Sequence, residues 1–352
     1  MPVTFSQTLP TALSISQSQC KPSKGFEDKK VEQEAVKLPP PEQSETEIFD
    51  MFSSPEQVDV AELFALPSQP APALKRPVLM VHGFNSNPSV WKNMRTWFTS
   101  NTQNVDGGIV SSNAATEPLK NDAKVFVMEF TRPFNSVMTN AAELRRAVDR
   151  IVAATGAKDI DLVGHSMGGL DARAYLDAGN EHVAKVVQIG TPNHGSLLAD
   201  IELQFREFGM PLFPKTDDPE VRQTLTDLRA ERKIDGQQAN PTVAALNKNW
   251  GRQKDRADFL LMAGVGKPTL KQRTLLTFKG DGVVPRDSVK MSDVPLVSIS
   301  STKHGALPGH PDVLTNTANF LVGKAIEFKA EPTTPEDKEI APVLVAGNTG
   351  QV

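Results

Sequence analysis

Residues 159–169 read Asp-Ile-Asp-Leu-Val-Gly-His-Ser-Met-Gly-Gly and run straight into Leu-Asp-Ala-Arg-Ala-Tyr-Leu-Asp. A short apolar strand, a turn of the pattern G-x-S-x-G and a helix therefore follow one another without a spacer. Such a turn is tight, and small residues two places either side of Ser166 are what let the backbone reverse there. The five-residue pattern alone is common. The strand before it and the helix after it make it selective, and they place a serine at the carboxyl end of a strand in a layered α/β domain.

The surrounding sequence has the same rhythm. Short Val/Ile/Leu-rich runs at 76–83, 125–130, 159–164, 183–189, 259–263 and 295–299 read as strands covered on both faces. A helix is predicted near 135–155, with Leu144, Ala147, Val148, Ile151 and Val152 on one face and Gly156 as its stop. The alternation predicts a mostly parallel sheet flanked by helices. Residues 196–255 break the rhythm with a long, Pro-interrupted, helix-patterned stretch. A structureless loop of that length would be unusual, so an inserted helical cap is expected, with Gly209-Met-Pro-Leu-Phe213 exposed on it.

Composition limits the alternatives. Hydrophobic residues make up 39% and charged residues 23% of the 352, which excludes a collagen-like, wholly disordered or membrane-embedded chain. No apolar run approaches the length of a transmembrane helix. Cys20 is the only cysteine, so neither a disulfide framework nor a cysteine-rich metal site is available. A net charge of −4 gives no reason to expect nucleic acid as a partner.

Residues 1–74 differ from the rest. They hold 10 of the 27 prolines, a single glycine (Gly25) and a net charge of −6, and they are expected to be a largely disordered, acidic, Pro-rich tail. Two apolar patches, 48–52 and 58–66, interrupt it, and the tail offers a segment through which a protein partner could hold the chain. The first residues lack a basic n-region and an unbroken apolar run, so no Sec signal peptide is read, and a cytoplasmic location or a non-Sec route is expected. The globular domain is expected over 75–328, with a second flexible tail over 329–352.

A serine hydroxyl needs a base, and the base needs an orienting acid. With a serine on a strand–turn–helix elbow, the order along the chain is serine, acid, histidine. Of six histidines only His304 and His310 come late enough. His304 follows the last strand directly, whereas His310, in Pro-Gly-His-Pro, reads as a turn residue. For the acid, Asp281 sits between two glycines in Lys-Gly-Asp-Gly-Val-Val-Pro and is preferred over Asp287 and Asp293. An oxyanion hole would use the backbone N–H of Met167, next after the serine, and that of Phe84 in Val81-His-Gly-Phe84.

Taken together, VHGF at 81–84, GHSMGG at 164–169, GTPNHGS at 190–196, GDGVVP at 280–285 and the Lys303-His304-Gly305 turn resemble the α/β-hydrolase superfamily, and within it the bacterial lipase and esterase group. The resemblance covers about residues 76–325. It implies a carboxylic ester hydrolase acting on acyl-lipid or other hydrophobic esters, at a lipid interface, with residues 196–255 as a lid and no cofactor. Members of the group carry a G-T-P-H run; here Asn193 precedes His194, so His194 is given no catalytic role. Calcium-binding members use two aspartates, for which Asp200 and Ala306 stand in the matching places, and with alanine at the second no metal is expected. An acyltransferase with the same three residues, or a binding protein on the same fold, are the other classes.

Overall fold

The computed structural model describes residues 64–112, 118–207, 218–234, 236–272 and 275–328. Cys20, the apolar patch at 48–52, Gly209–Phe213 and the tail 329–352 lie outside the described residues. Strand β1 (Val78–Val81) leads through a 3-10 turn (Pro88–Trp91) to helix α1 (Lys92–Phe98), then β2 (Val105–Ser111) and β3 (Ala123–Glu129). Helix α2 (Val137–Thr155), β4 (Ile160–His165), α3 (Met167–Asp177) and β5 (Val183–Ile189) follow. The stretch after β5 holds α4 (Leu197–Glu207), α5 (Pro219–Leu228), a pair of two-residue strands β6 (Lys233–Ile234) and β7 (Gln237–Gln238), α6 (Pro241–Lys248) and α7 (Trp250–Lys254). The chain then enters β8 (Asp258–Val265), the hairpin β9 (Thr269–Gln272) and β10 (Leu275–Thr277), α8 (Arg286–Val289), β11 (Leu296–Ser300), a second 3-10 turn (His304–Gly309) and α9 (Pro311–Val322).

Seven strands form one sheet in the order β11-β8-β5-β4-β1-β3-β2. Every pairing in it is parallel. The chain builds β2 and β3 on one side of β1, then crosses to β4 and continues outward to β11. The order therefore reverses between β1 and β4, and in open α/β sheets the crevice beyond the carboxyl ends at such a reversal is where ligands bind. Val81 pairs with Gly164 and His165 with Ile189, so the Gly83 turn, the Ser166 turn and the end of β5 lie side by side there.

Strand residues alternate between two apolar layers, as the two-residue period requires. Leu79, Val81, Phe126, Met128 and Leu162 face Leu144, Val148, Ile151 and Tyr175 of α2 and α3. Val78, Met80, Val125, Val127 and Val163 face Trp91, Met94, Phe98, Leu314 and Leu321 on the other side. Helix α2 begins where Ser136 caps the Thr139 N–H and ends at Gly156 in the left-handed region (φ 65°), close to the expected 135–155. Its predicted face is buried at Leu144, Ala147, Val148 and Ile151.

Three features were not expected. Strand β2 is an edge strand that none of the predicted runs covers; the ring of Phe126 lies where a Cβ on Gly107 would be, and the pairing with β3 is irregular at Gly108. The β9–β10 hairpin has no counterpart among the predicted strands. Residues 69–74, placed in the tail by composition, dock through backbone carbonyls. Gln69 accepts from Trp97, Ala71 from Asn101 and Pro72 from Asn104, with Ala71 and Leu74 buried.

Candidate active site

Ser166 stands between β4 and α3 with φ 54° and ψ −127°, a conformation that non-glycine residues adopt only when their surroundings enforce it. The enforcement is close packing. A Cβ on Gly168 would lie 2.3 Å from the Val81 carbonyl oxygen, and one on Gly164 2.6 Å from the Gly168 oxygen. The start of α3 is thus pressed against the ends of β1 and β4, as the G-x-S-x-G reading requires. Ser166 N–H donates to Ile189 O at 2.8 Å, tying the turn to β5.

Asp281 is buried in the loop after β10. One carboxylate oxygen accepts from the N–H groups of Val283 (3.0 Å) and Val284 (2.8 Å), while the other lies 2.7 Å from His304 Nδ1. His304 N–H also donates to Asp281 O at 3.0 Å, so backbone and side chain both join the pair. The His304 ring lies over the end of β5, where a Cβ on Gly190 would come within 3.1 Å of Cε1. Gly190 follows the residue that accepts from Ser166 N–H, which brings all three predicted residues to one end of the sheet. Ser166 Oγ makes no hydrogen bond to His304 among the described residues; such contacts commonly tighten when substrate binds.

The rival residues are elsewhere. Asp287 is exposed in the first turn of α8, and Asp293 pairs with Lys254 at 3.0 Å. His310 caps α9 by accepting from Asp312 N–H and packs edge-on against Phe64. His194 bonds Glu231 at 2.7 Å and Lys290 O at 3.1 Å. Asp200 is occupied by Arg229, Arg232 and the Ala230 N–H, and Ala306 lies in the second 3-10 turn.

The two predicted oxyanion donors are adjacent to the serine. Met167 is the first residue of α3, so its N–H has no acceptor within the helix. A Cβ on Gly83 would lie 2.8 Å from Ser166 Cβ and 3.2 Å from Met167 N, so the backbone entering Phe84 passes directly over the serine. His82 Nδ1 donates to Gly83 O at 3.0 Å and packs edge-on against Phe130; burial lowers its pKa to about 4, only partly opposed by that bond. His82 is therefore neutral near pH 7 and holds the turn as a hydrogen-bond donor.

Two parts of the site carried no signal in the sequence. His165 is buried against His304. Arg173, on α3, is fully buried and donates to Gln253, Asn193 and Asn247 at 2.8–2.9 Å beneath the Trp250 ring, joining α3 to α6 and α7. A third apolar cluster connects Met167, Leu170, Val137 and Ala141 to Val221, Leu225, Leu228, Val243 and Leu246 of the 196–255 stretch, with Phe84, Phe134 and Leu203 packed at its border.

Comparison with known proteins agrees with this architecture. A family model described as the alpha/beta hydrolase fold matches residues 76–230. The domain has the α/β-hydrolase fold. Curated relatives include a triacylglycerol lipase of Pseudarthrobacter phenanthrenivorans and one of Burkholderia plantarii, each 31% identical over 130 residues. That match covers 36% of this chain and 36% and 32% of the two relatives, so the chain spans about a third of their length. Among solved structures, a mature Bacillus licheniformis lipase aligns with a TM-score of 0.48 at 18% identity, over 74% of this chain and 96% of that one.

Proposed function

We propose that this chain hydrolyses carboxylic esters, preferring those with apolar acyl chains, through Ser166, His304 and Asp281. The observation that carries the reading is the Asp281–His304 pair held beside a serine in a strained turn, with the free N–H of a helix start next to it. Asp281 accepts from Nδ1–H and leaves Nε2 as the basic nitrogen. His304 takes the Ser166 proton as Oγ attacks the carbonyl carbon, a general-base contribution of about 10²–10⁴. The carbonyl π pair moves to oxygen, which the Phe84 and Met167 N–H groups stabilise by a factor of about 10²–10³ per donor.

Collapse of the tetrahedral adduct expels the alkoxide, which leaves as the alcohol with the proton from His304 Nε2. Water, deprotonated by the same nitrogen, then attacks the acyl-Ser166 carbonyl; the second adduct collapses by breaking the bond to Ser166 Oγ, which takes the proton back from Nε2, and the carboxylic acid departs. The apolar border of Phe84, Phe134 and Leu203 next to Met167 supports an apolar acyl group, and the relatives' naming as triacylglycerol lipases supports the same preference. In this reading the 196–255 stretch serves as the lid over that border.

The test is hydrolysis of p-nitrophenyl esters from acetate to palmitate by wild type and Ser166→Ala. Activity that disappears in the variant, with a chain-length optimum beyond acetate, is expected. Folded wild-type protein inactive across the series would overturn the proposal.

A further inference from the structure

His165 lies between the two groups that must meet for an ester to be cleaved. It is the residue immediately before Ser166, so its backbone forms the entry to the serine turn. Its side chain reaches to the histidine loop: Nε2 lies 3.0 Å from the His304 carbonyl oxygen, and the two rings are 4.8 Å apart, tilted by 39°. Since a carbonyl only accepts, Nε2 carries the hydrogen, and Nδ1 is buried without a partner. The His165 ring also stands at right angles to that of Trp91, with centroids 6.4 Å apart. His304 is consequently pinned at both backbone groups, its N–H by Asp281 O and its C=O by His165.

We propose that His165 is a positioning residue that keys the His304 loop to the Ser166 turn and fixes the separation of base and nucleophile. The inference rests on the ester-hydrolase reading of Ser166 and His304. The hydrogen bond links the backbone of the nucleophile to that of the base through one side chain. Without it His304 itself would be held only through Asp281, since the other tie of the loop, Ser301 N–H to Val265 O, lies three residues away, and a shift of about 1 Å between reacting groups can cost roughly 10²-fold in rate.

The ring's neutrality belongs to the device. Burial holds its pKa well below the usual histidine value, and the neighbouring His304 and His82 add to that. A neutral neighbour adds no repulsion when His304 becomes an imidazolium during acyl transfer, whereas a second cation at 4.8 Å would oppose it.

The test pairs His165→Phe, which keeps a ring but loses the donor, with His165→Gln, whose amide N–H can replace Nε2–H. With p-nitrophenyl butyrate the Phe variant is expected to lose at least about tenfold in kcat with KM changed less than about twofold, and the Gln variant to recover most of it. The downfield proton resonance of His304 Nδ1–H provides a readout that needs no substrate: it should shift or broaden in the Phe variant and return in the Gln variant. Wild-type kcat and an unchanged resonance in folded His165→Phe would overturn the proposal, as would a Gln variant as impaired as Phe. If the Phe variant does not fold, the Gln variant decides alone, with near wild-type kcat and resonance expected. Wild-type protein that cleaves no ester would refute the hydrolase reading instead, and the resonance would still test the clamp.

Discussion

Gly168→Ala should damage both stability and the proposed chemistry, and the structure gives the size of the effect. The new methyl carbon would sit 2.3 Å from the Val81 carbonyl oxygen, 2.8 Å from that of His82 and 2.9 Å from the Val81 carbonyl carbon. All three are backbone atoms at the end of a central strand, so no side chain can rotate away. To reach even a 3.0 Å contact, α3 and β1 must separate by about 0.7 Å in a region packed like a crystal.

Overpacking of this kind costs about 1–3 kcal/mol. For a domain of this size that lowers the melting temperature by roughly 2–6 °C. The same displacement moves Ser166 and Met167 N away from Gly83, so kcat should fall about tenfold or more. Differential scanning calorimetry and ester kinetics on the same preparation read both effects. Gly251→Ala in α7, where an added Cβ meets nothing within 4 Å, is the control and should leave both within error or raise stability slightly. A Gly168→Ala protein with wild-type melting temperature and wild-type kcat would refute the packing argument for the turn.

Three further outcomes are expected. Asp281→Asn should lower kcat by about 10³–10⁴ while leaving KM nearly unchanged, because an amide can present its N–H to Nδ1 and favour the wrong tautomer; steady-state kinetics check it. Acidification should destabilise the protein through His82: its folded pKa of about 4 lies below the unfolded value near 6.5, so the unfolded chain binds more protons in that window. A stabilisation on the order of 3 kcal/mol, from a shift of about 2.5 pH units at about 1.4 kcal/mol each, is lost as pH falls from 6.5 to about 4. Asp161, raised to about 6 by burial against the opposing pull of Arg76, acts in the reverse sense, so denaturant titrations should show a flatter pH dependence for His82→Phe and a steeper one for Asp161→Asn. Arg173→Leu should lower unfolding free energy by about 2–4 kcal/mol, because the buried oxygens of Asn193 and Gln253 lose their donor, and Arg173→Lys should rescue little of it since a single ammonium cannot span three amides.

The parts of the fold legible in the sequence are those where local pattern and tertiary role coincide. Strands β1, β3, β4, β5 and β8 are largely apolar because helices cover both faces, the edge strand β11 buries Val297 and Ile299 on one face, and Gly156 terminates α2 as a left-handed cap. The residues gathered at the site were legible for a similar reason: a tight turn after a strand imposes small residues at fixed offsets, and Asp281 and His304 sit in the loops that such a sheet presents at the same end. Strand β2 was not legible because an edge strand with Gly107-Gly108 has neither alternation nor an apolar run, and its identity depends on Phe126 filling the space above a glycine. The docking of 69–74 depends on carbonyls accepting from Trp97, Asn101 and Asn104, contacts to which composition is blind. His165 and Arg173 escaped because a residue facing the interior at a motif's variable position, or a cation satisfied by three amides distant in sequence, leaves no periodic trace.

The most direct test of the account is covalent trapping of the serine. Incubation with a p-nitrophenyl alkylphosphonate, followed by intact-mass and peptide mass spectrometry, should give one phosphonyl group per chain, located on Ser166, with ester hydrolysis lost in proportion to labelling. Modification of another residue, or ester hydrolysis that persists after Ser166 is fully labelled, would contradict it.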